Sequence, residues 1–551
     1  MINDFKTNRT AKLYCDFRKR IINNQSNKSG KIFIISNIAK AFRAVLPANN
    51  KLKIRPVHSL PHALPFLIIF SLIFTMRTGL YSQQNRLKLT LEDAIELARK
   101  QSPDALMAKH KFRASYWQYR SYKAKYLPSL SLNGNLPYFN KSISKTSTGE
   151  GSFFSKYNEN SLSAGLSLTQ QIGLTGGNIS VNTGFERLDN FIQNSTSYNA
   201  TLLNIAFRQP LIKYNSFRWE RMLEPMLYEE ARRGYIEDME QVSVNATNLF
   251  FNLLSAQIQN NIAGINEANY DTIYKIAQGR FNLGKIAEND LLQLELQYLR
   301  ASSSVKEAAL DLENQQFRFR SYLRLKEDTE IELVIPVVQN YFTVDASRAV
   351  TEARTNSSTA LAFTRRLTEA ASQVAQAKYQ GRFDAELFAL YGLSNDAQYI
   401  EYLNDNPSDQ QHFELGISLP ILDWGVAKGK IKMAQSNQEI VKTTVEQEQI
   451  DFNQEVFLKV SRFNMQYEQV LISAKADTVA QKGYDITKAR YLIGRITITD
   501  LNIAQAESDN SKSNFISALG TYWRNYYDLR RMTLFDWEKN VPLIVDYKEL
   551  L

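Results

Sequence analysis

The sequence predicts a mixed α and β fold built twice over, in which alternating strands lead into helices far longer than those of an ordinary globule. Three observations predict it. The stretch Arg280-Phe281-Asn282-Leu283-Gly284-Lys285-Ile286-Ala287-Glu288-Asn289-Asp290-Leu291 returns 210 residues later as Arg490-Tyr491-Leu492-Ile493-Gly494-Arg495-Ile496-Thr497-Ile498-Thr499-Asp500-Leu501, with five positions identical and three conservative. The same offset pairs Pro210 with Pro420, so the chain reads as a tandem duplication. Apolar residues recur every three or four positions from Trp219 to Leu283 and again from about Val426 to Ile493, and segments of period two precede each run.

The first 82 residues read as a leader. They hold 14 Lys and Arg against two Asp, a net of +12, so the remaining residues carry about −2 of the +10 total. The basic character therefore belongs to the leader, which removes the main support for a nucleic-acid partner. Residues 63–76 form an almost wholly apolar run of 14, too short for a span of about 20 residues and suited to a signal-peptide core, with cleavage expected near Ser82. A single anchoring helix is the alternative. The one cysteine, Cys15, lies in the leader, as do His58 and His62, so the exported chain has no disulfide and no Cys/His zinc cluster.

After the leader, Leu91 to Tyr126 shows helical spacing broken near Ser102-Pro103, and about Ala346 to Tyr379 repeats it. Alternation follows in Leu127 to Leu136, Phe383 to Leu393 and Phe413 to Pro420. The first half carries two more alternating runs, Leu162 to Ile172 and Asn178 to Leu188, joined at Leu174-Thr175-Gly176-Gly177, which read as an extra hairpin near residues 161–203. Such segments fit strands of a transmembrane barrel and equally those of a soluble sandwich. Export without a 20-residue apolar span favours the barrel, because a membrane-crossing sheet must close on itself.

The long helical runs imply rods of roughly 100 Å at 1.5 Å per residue. Helices of some 36 residues, near Thr90 to Tyr126 and Asn289 to Leu325, would stack in pairs beside them. At each repeated stretch, Gly284 or Gly494 suits the left-handed residue that closes a helix, followed by the basic Lys285 or Arg495. Thr497 and Asp500 have capping-box spacing, and in the first copy Asn289 is expected to cap, with Asp290 in the first turn. Each stretch is thus a helical hairpin tip.

Strands followed by very long helices, the duplication and two Arg-aromatic-x-x-Gly-basic-Ile-x-x-x-Asp-Leu tips together resemble the TolC family of outer-membrane efflux channels over Leu87 to about Glu538. The extra hairpin, with Leu166-Ser167-Leu168-Thr169-Gln170-Gln171, is similar to that of Bacteroidetes-type members. The resemblance implies a homotrimer whose β-barrel, seated among outer-membrane lipid, continues into a periplasmic helical barrel closed at its inner end. It implies docking on a periplasmic adaptor (a membrane fusion protein) and an inner-membrane pump of RND, ABC or MFS type, with no chemistry and no cofactor. Domains follow as 1–82 leader, 87–330 first repeat, 331–540 second repeat and 541–551 C-terminal tail. The family's gate pair aligns with Asp290 and Tyr491, and its acidic ring in part with Asp500, whereas Ile503 and Ile496 stand at usually polar positions. Gly284, Lys285, Gly494 and Arg495 align with the adaptor-contacting tips. The plainer reading of both aspartates is stabilisation of helix N-termini, about 0.3–1 kcal/mol each, and of both cations, solvated charge.

Other motifs are set aside. Gly279 to Ile286 fits G-x-x-x-x-G-K but lacks the Ser or Thr that would hold magnesium and follows a helix. The Tyr522 to Tyr527 aromatics read as packing between helices rather than a base-stacking platform. A non-conducting envelope coiled-coil scaffold, an exported hydrolase and a stand-alone porin are the rival readings.

Overall fold

The computed structural model describes residues 86–148, 151–338, 342–381 and 383–550, so the expected signal peptide and the net-basic leader lie outside the described residues. Each half begins with a broken helix. Helices α1 (Leu91–Gln101) and α2 (Pro103–Ala124) meet at buried Ser102, which ends one and caps the other through its hydroxyl, accepting from the Ala105 N–H. Helices α5 (Ala346–Asn356) and α6 (Ser358–Gln380) meet the same way at Ser357, so one extended serine makes both breaks and only the first needs a proline beside it.

The long rods are α3 (Ser216–Asn282) and α7 (Val426–Leu492), 67 residues each, and their return partners are α4 (Glu288–Leu323) and α8 (Ile498–Thr533), 36 residues each. Below mid-height the helices form a row in the order α4, α3, α8, α7. Higher up, α1, α2, α5 and α6 pack on the rods. No helix of the described residues is long and apolar enough to cross a membrane.

The main core lies where these layers meet, around fully buried Leu91, Phe250, Phe319, Phe463 and Leu519, roofed by the parallel pair β1 (Arg86–Leu89) and β6 (Glu330–Leu333). The division drawn between residues 330 and 331 falls inside β6. Beside this core Glu240, 2% exposed, takes Arg99 and Arg530, and Arg530 also reaches Asp536. A buried carboxylate is tolerable only with such partners. The C-terminal tail, beyond the short β9 (Phe535–Asp536) and β10 (Val541–Pro542), is seated rather than loose. Tyr547 lies on Phe112 and Arg232 and donates to the Arg232 carbonyl, and Arg113 donates to the Leu550 carbonyl at 2.6 Å.

Six strands form one antiparallel sheet in the order β2 (Ser129–Thr148), β3 (Gly151–Ile172), β4 (Gly177–Asn190), β5 (Ser195–Pro210), β7 (Asp384–Ala397), β8 (Ser408–Ser418). The sheet is open in the single chain, with β2 and β8 at its edges. Strands β2 and β3, 20 and 22 residues, run beyond the alternating segments Leu127 to Leu136 and Leu162 to Ile172 because they pair on past the end of β4 through a polar arm whose sequence no longer alternates.

Candidate functional site: the paired hairpin tips

Both tips close by one geometry. Gly284 and Gly494 take φ of 67° and 75°. Their N–H groups donate to the carbonyls of Phe281 and Tyr491, and the next N–H groups, of Lys285 and Arg495, reach back to Arg280 and Arg490 at 2.9 and 3.0 Å. This double bond pattern satisfies the last helical carbonyls, and the left-handed residue it requires is why glycine stands there.

The return helices start differently. At α8 the expected capping box forms: the Thr497 hydroxyl accepts from the Asp500 N–H at 3.2 Å, and the Asp500 carboxylate accepts from the Thr497 hydroxyl and N–H. The Thr497 hydroxyl, then its N–H, holds the Asp500 carboxyl below the usual range. At α4 the expectation of an Asn289 cap is corrected. Ala287 occupies the cap with no side-chain bond, and Asn289 lies one residue inside the helix. The backbone register follows the repeat, so Asp290 takes the place of Asp500 but finds an alanine where the hydroxyl would be.

Asp290 and Tyr491 line one groove between the tips, together with Arg280, Lys285 and Ile496. No hydrogen bond joins the carboxylate to the phenol among the described residues. Burial and, less strongly, the Asp290 charge push the Tyr491 hydroxyl up, while Arg280 opposes them. Arg280 also donates to the Leu492 carbonyl, a tie between the tips that alignment of gate positions had not singled out. Lys285 and Arg495 are exposed, and Ile503 is 64% exposed.

Above the groove the four helices share a small apolar cluster of Ile273, Ala277, Leu294, Tyr484, Ile498 and Leu501. A polar seam then links α3 to the second hairpin. Asn266 donates to Asp509 at 2.8 Å and accepts from Gln505, Tyr270 donates to Asn502 at 3.0 Å, and Asn269 joins Tyr484 and Lys488. Burial raises the Asp509 carboxyl against the Asn266 bond, and burial first, then the Tyr270 and Asp509 charges, pushes the Tyr484 hydroxyl up to about 12. The available sequence signal was asparagine at 266 and 269, interrupting an otherwise apolar stripe. Nothing in this region gathers a nucleophile and a base in a cleft, and no group of metal-binding side chains occurs among the described residues.

Rods ending in two glycine-closed tips, joined to an amphipathic sheet, make up a fold that solved outer-membrane channels share. Residues 353–533 match the family model described as outer membrane efflux protein. The chain is 24% identical over 412 residues to the outer membrane protein TolC of Escherichia coli (strain K12), covering 71% of this chain and 79% of that one. Among solved structures it resembles the Campylobacter jejuni CmeC outer membrane channel (TM-score 0.60, 15% identity, 91% and 96% of the two chains covered). It also resembles the Vibrio cholerae outer membrane protein VceC (TM-score 0.58, 15% identity, 80% and 95% covered). Over residues 353–533 the chain thus matches the outer membrane efflux family, and over most of its length it is similar to TolC and shares the fold of solved outer-membrane channels.

Proposed function

We infer that three copies of this chain, the product of a tandem duplication, assemble as the exit duct of a tripartite efflux or secretion system, receiving substrate from a periplasmic adaptor and an inner-membrane pump. The observation that carries this reading is on the helices. In the row α4, α3, α8, α7 the two end helices each carry an exposed apolar stripe. On α7 it is Leu458, Met465, Ile472, Val479 and Ile486, at intervals of seven and 44–63% exposed. On α4 it is Leu292, Leu296, Leu299, Leu310 and Phe317, 47–70% exposed. Heptad spacing is that of a helix seam awaiting a partner. Counted from the tip, the two stripes run to similar depths, so α7 of one copy meets α4 of the next antiparallel, a head-to-tail contact that closes as a ring. The sheet supports the same closure: with an even number of strands, edges β2 and β8 run in opposite directions and can pair antiparallel between copies.

The assembly does no chemistry; energy comes from the pump. Asp290, Tyr491 and Asp500 line the constriction, and opening separates the tips that Arg280 ties. Lys285 and Arg495, exposed beside Gly284 and Gly494, meet the adaptor. Within this reading residues 87–330 and 331–540 are the two repeats. A photo-crosslinker at Lys285 or Arg495 in the native host, with exposed Gln193 at the far end of the sheet as control, tests it. Capture of a periplasmic adaptor at the tips alone is the expected result. Capture of only further copies of the chain or of cell-wall material would favour a non-conducting scaffold.

A further inference from the structure

The repeat leaves one feature unmatched: the first half contributes four strands to the sheet and the second half two. An inserted hairpin can lie outside a barrel wall or within it, and pairing decides between these. Strand β3 is hydrogen-bonded to β2 along nearly all its length and to β4 over Glu159–Ile172, and β4 to β5, so the insertion sits in the plane of the sheet.

Side-chain alternation passes through it without a change of face. One cross-strand row reads Ser131, Ser167, Asn182, Asn204, Gly392, Gln410. The adjacent row on the other face reads Leu130, Leu168, Val181, Ile205, Tyr391, and ends on Gln411 at the edge. The polar row is uncharged and small, and it is tied within the hairpin, where the Ser167 hydroxyl donates to the Asn182 side-chain oxygen at 2.5 Å. Leu168, Ile205 and Tyr391 are 41%, 40% and 48% exposed, so the apolar face is open in the inserted strands as in the others. A hairpin folded outside a wall, with water on both sides, gains nothing from such a face. A wall between lipid and lumen requires it in every strand.

We propose that β3 and β4 are part of the lipid-facing wall, so that the exit barrel is wide, lined largely by polar side chains, and suited to bulky hydrophilic cargo. This rests on the trimeric duct reading: three copies of a six-stranded sheet make eighteen strands, and barrels of about 16–18 strands enclose an open aqueous channel.

Single cysteines in a Cys15→Ser background, each bearing a polarity-sensitive fluorophore, test the placement in outer-membrane vesicles. Leu166→Cys and Val181→Cys report the apolar face of the hairpin, Ser167→Cys and Asn182→Cys its polar face. Leu415→Cys and Ser394→Cys are the corresponding controls on β8 and β7. Nitroxide-labelled lipid should quench the first pair and the Leu415 control, and iodide the second pair and the Ser394 control. Iodide quenching of all four hairpin positions, with controls behaving as stated, would overturn the proposal and leave the duct standing. Loss of lipid quenching at Leu415 as well would overturn both. Excising Gly151–Asn194 leaves β2 antiparallel to β5 and removes two strands per copy, so end-on micrographs should show a circumference smaller by about a third. A folded variant of unchanged diameter would also overturn the proposal, and the quenching result stands if the variant does not fold.

Discussion

Replacing Gly284 or Gly494 by alanine isolates the backbone cost of a tip. At both positions an added Cβ meets no atom within 4 Å, so no steric clash enters. What remains is the left-handed conformation, with φ of 67° and 75°, which costs an L-residue about 1–2 kcal/mol. At Gly520, by contrast, a Cβ would come within 2.9 Å of the buried Phe251 ring, so a substitution there mixes strain with packing. The tip variants are best followed by hydrogen exchange of the amides of Lys285 and Arg495, whose bonds to Arg280 and Arg490 close the turns. A loss of about 1–2 kcal/mol predicts a rise of roughly 5- to 30-fold in local opening. The decisive comparison is Gly→Asn at the same sites. Asparagine tolerates the left-handed region, so it should recover a large part of the loss. Equal damage from Ala and Asn would refute the backbone argument and point instead to a partner that needs a bare glycine surface. No rise in opening for Ala would show that the turns are already broken in the assembled protein.

Three further outcomes follow from the same region. Leu294→Ala empties a fully buried site where the helices of both tips meet, and should cost about 2–5 kcal/mol and raise leak current in planar bilayers. Thr497→Ala should lose about 0.5–2 kcal/mol in thermal or denaturant unfolding. Because the Asp500 carboxyl is held below its unfolded value, its contribution is present above that value and lost as pH falls through the folded one. The Thr497→Ala variant should lose this acid-side slope. Asp509 has the opposite sign: its folded value is raised by burial, so its favourable contribution is complete below the unfolded value and disappears as pH rises through the folded one. Asp509→Asn keeps an acceptor for Asn266 and should raise the thermal midpoint at neutral pH, with the gain shrinking in acid; a lowered midpoint at neutral pH would show that the charge has a partner in the assembly.

Much of this architecture could be read from local periodicity, and the exceptions are non-local. The rods emerge within a residue or three of their expected ends because an apolar stripe, an arginine and a glycine mark them in sequence. The Thr497 and Asp500 box was legible for the same reason. Sheet order was not, since β5 pairs with β7 across 176 or more residues of separation and no alternation pattern names its neighbour. The polar seam was hidden because Asn266 and Asp509 are 243 positions apart and each alone reads as a surface residue. Seating of the C-terminal tail on Phe112 and Arg232 was invisible for that reason too.

The repeat is most informative where its copies disagree. Both return helices place an aspartate at the third helical position, near the favourable end of the helix dipole. In the second copy Thr497 engages that aspartate, and its carboxylate is committed to the cap. In the first copy alanine stands in the capping position, so Asp290 keeps its carboxylate free of the backbone, half-buried in the groove that Tyr491 shares. A single missing hydroxyl therefore separates a structural aspartate from one available to another chain. Of the two acidic positions, Asp290 is the one whose carboxylate is not committed to a helix cap.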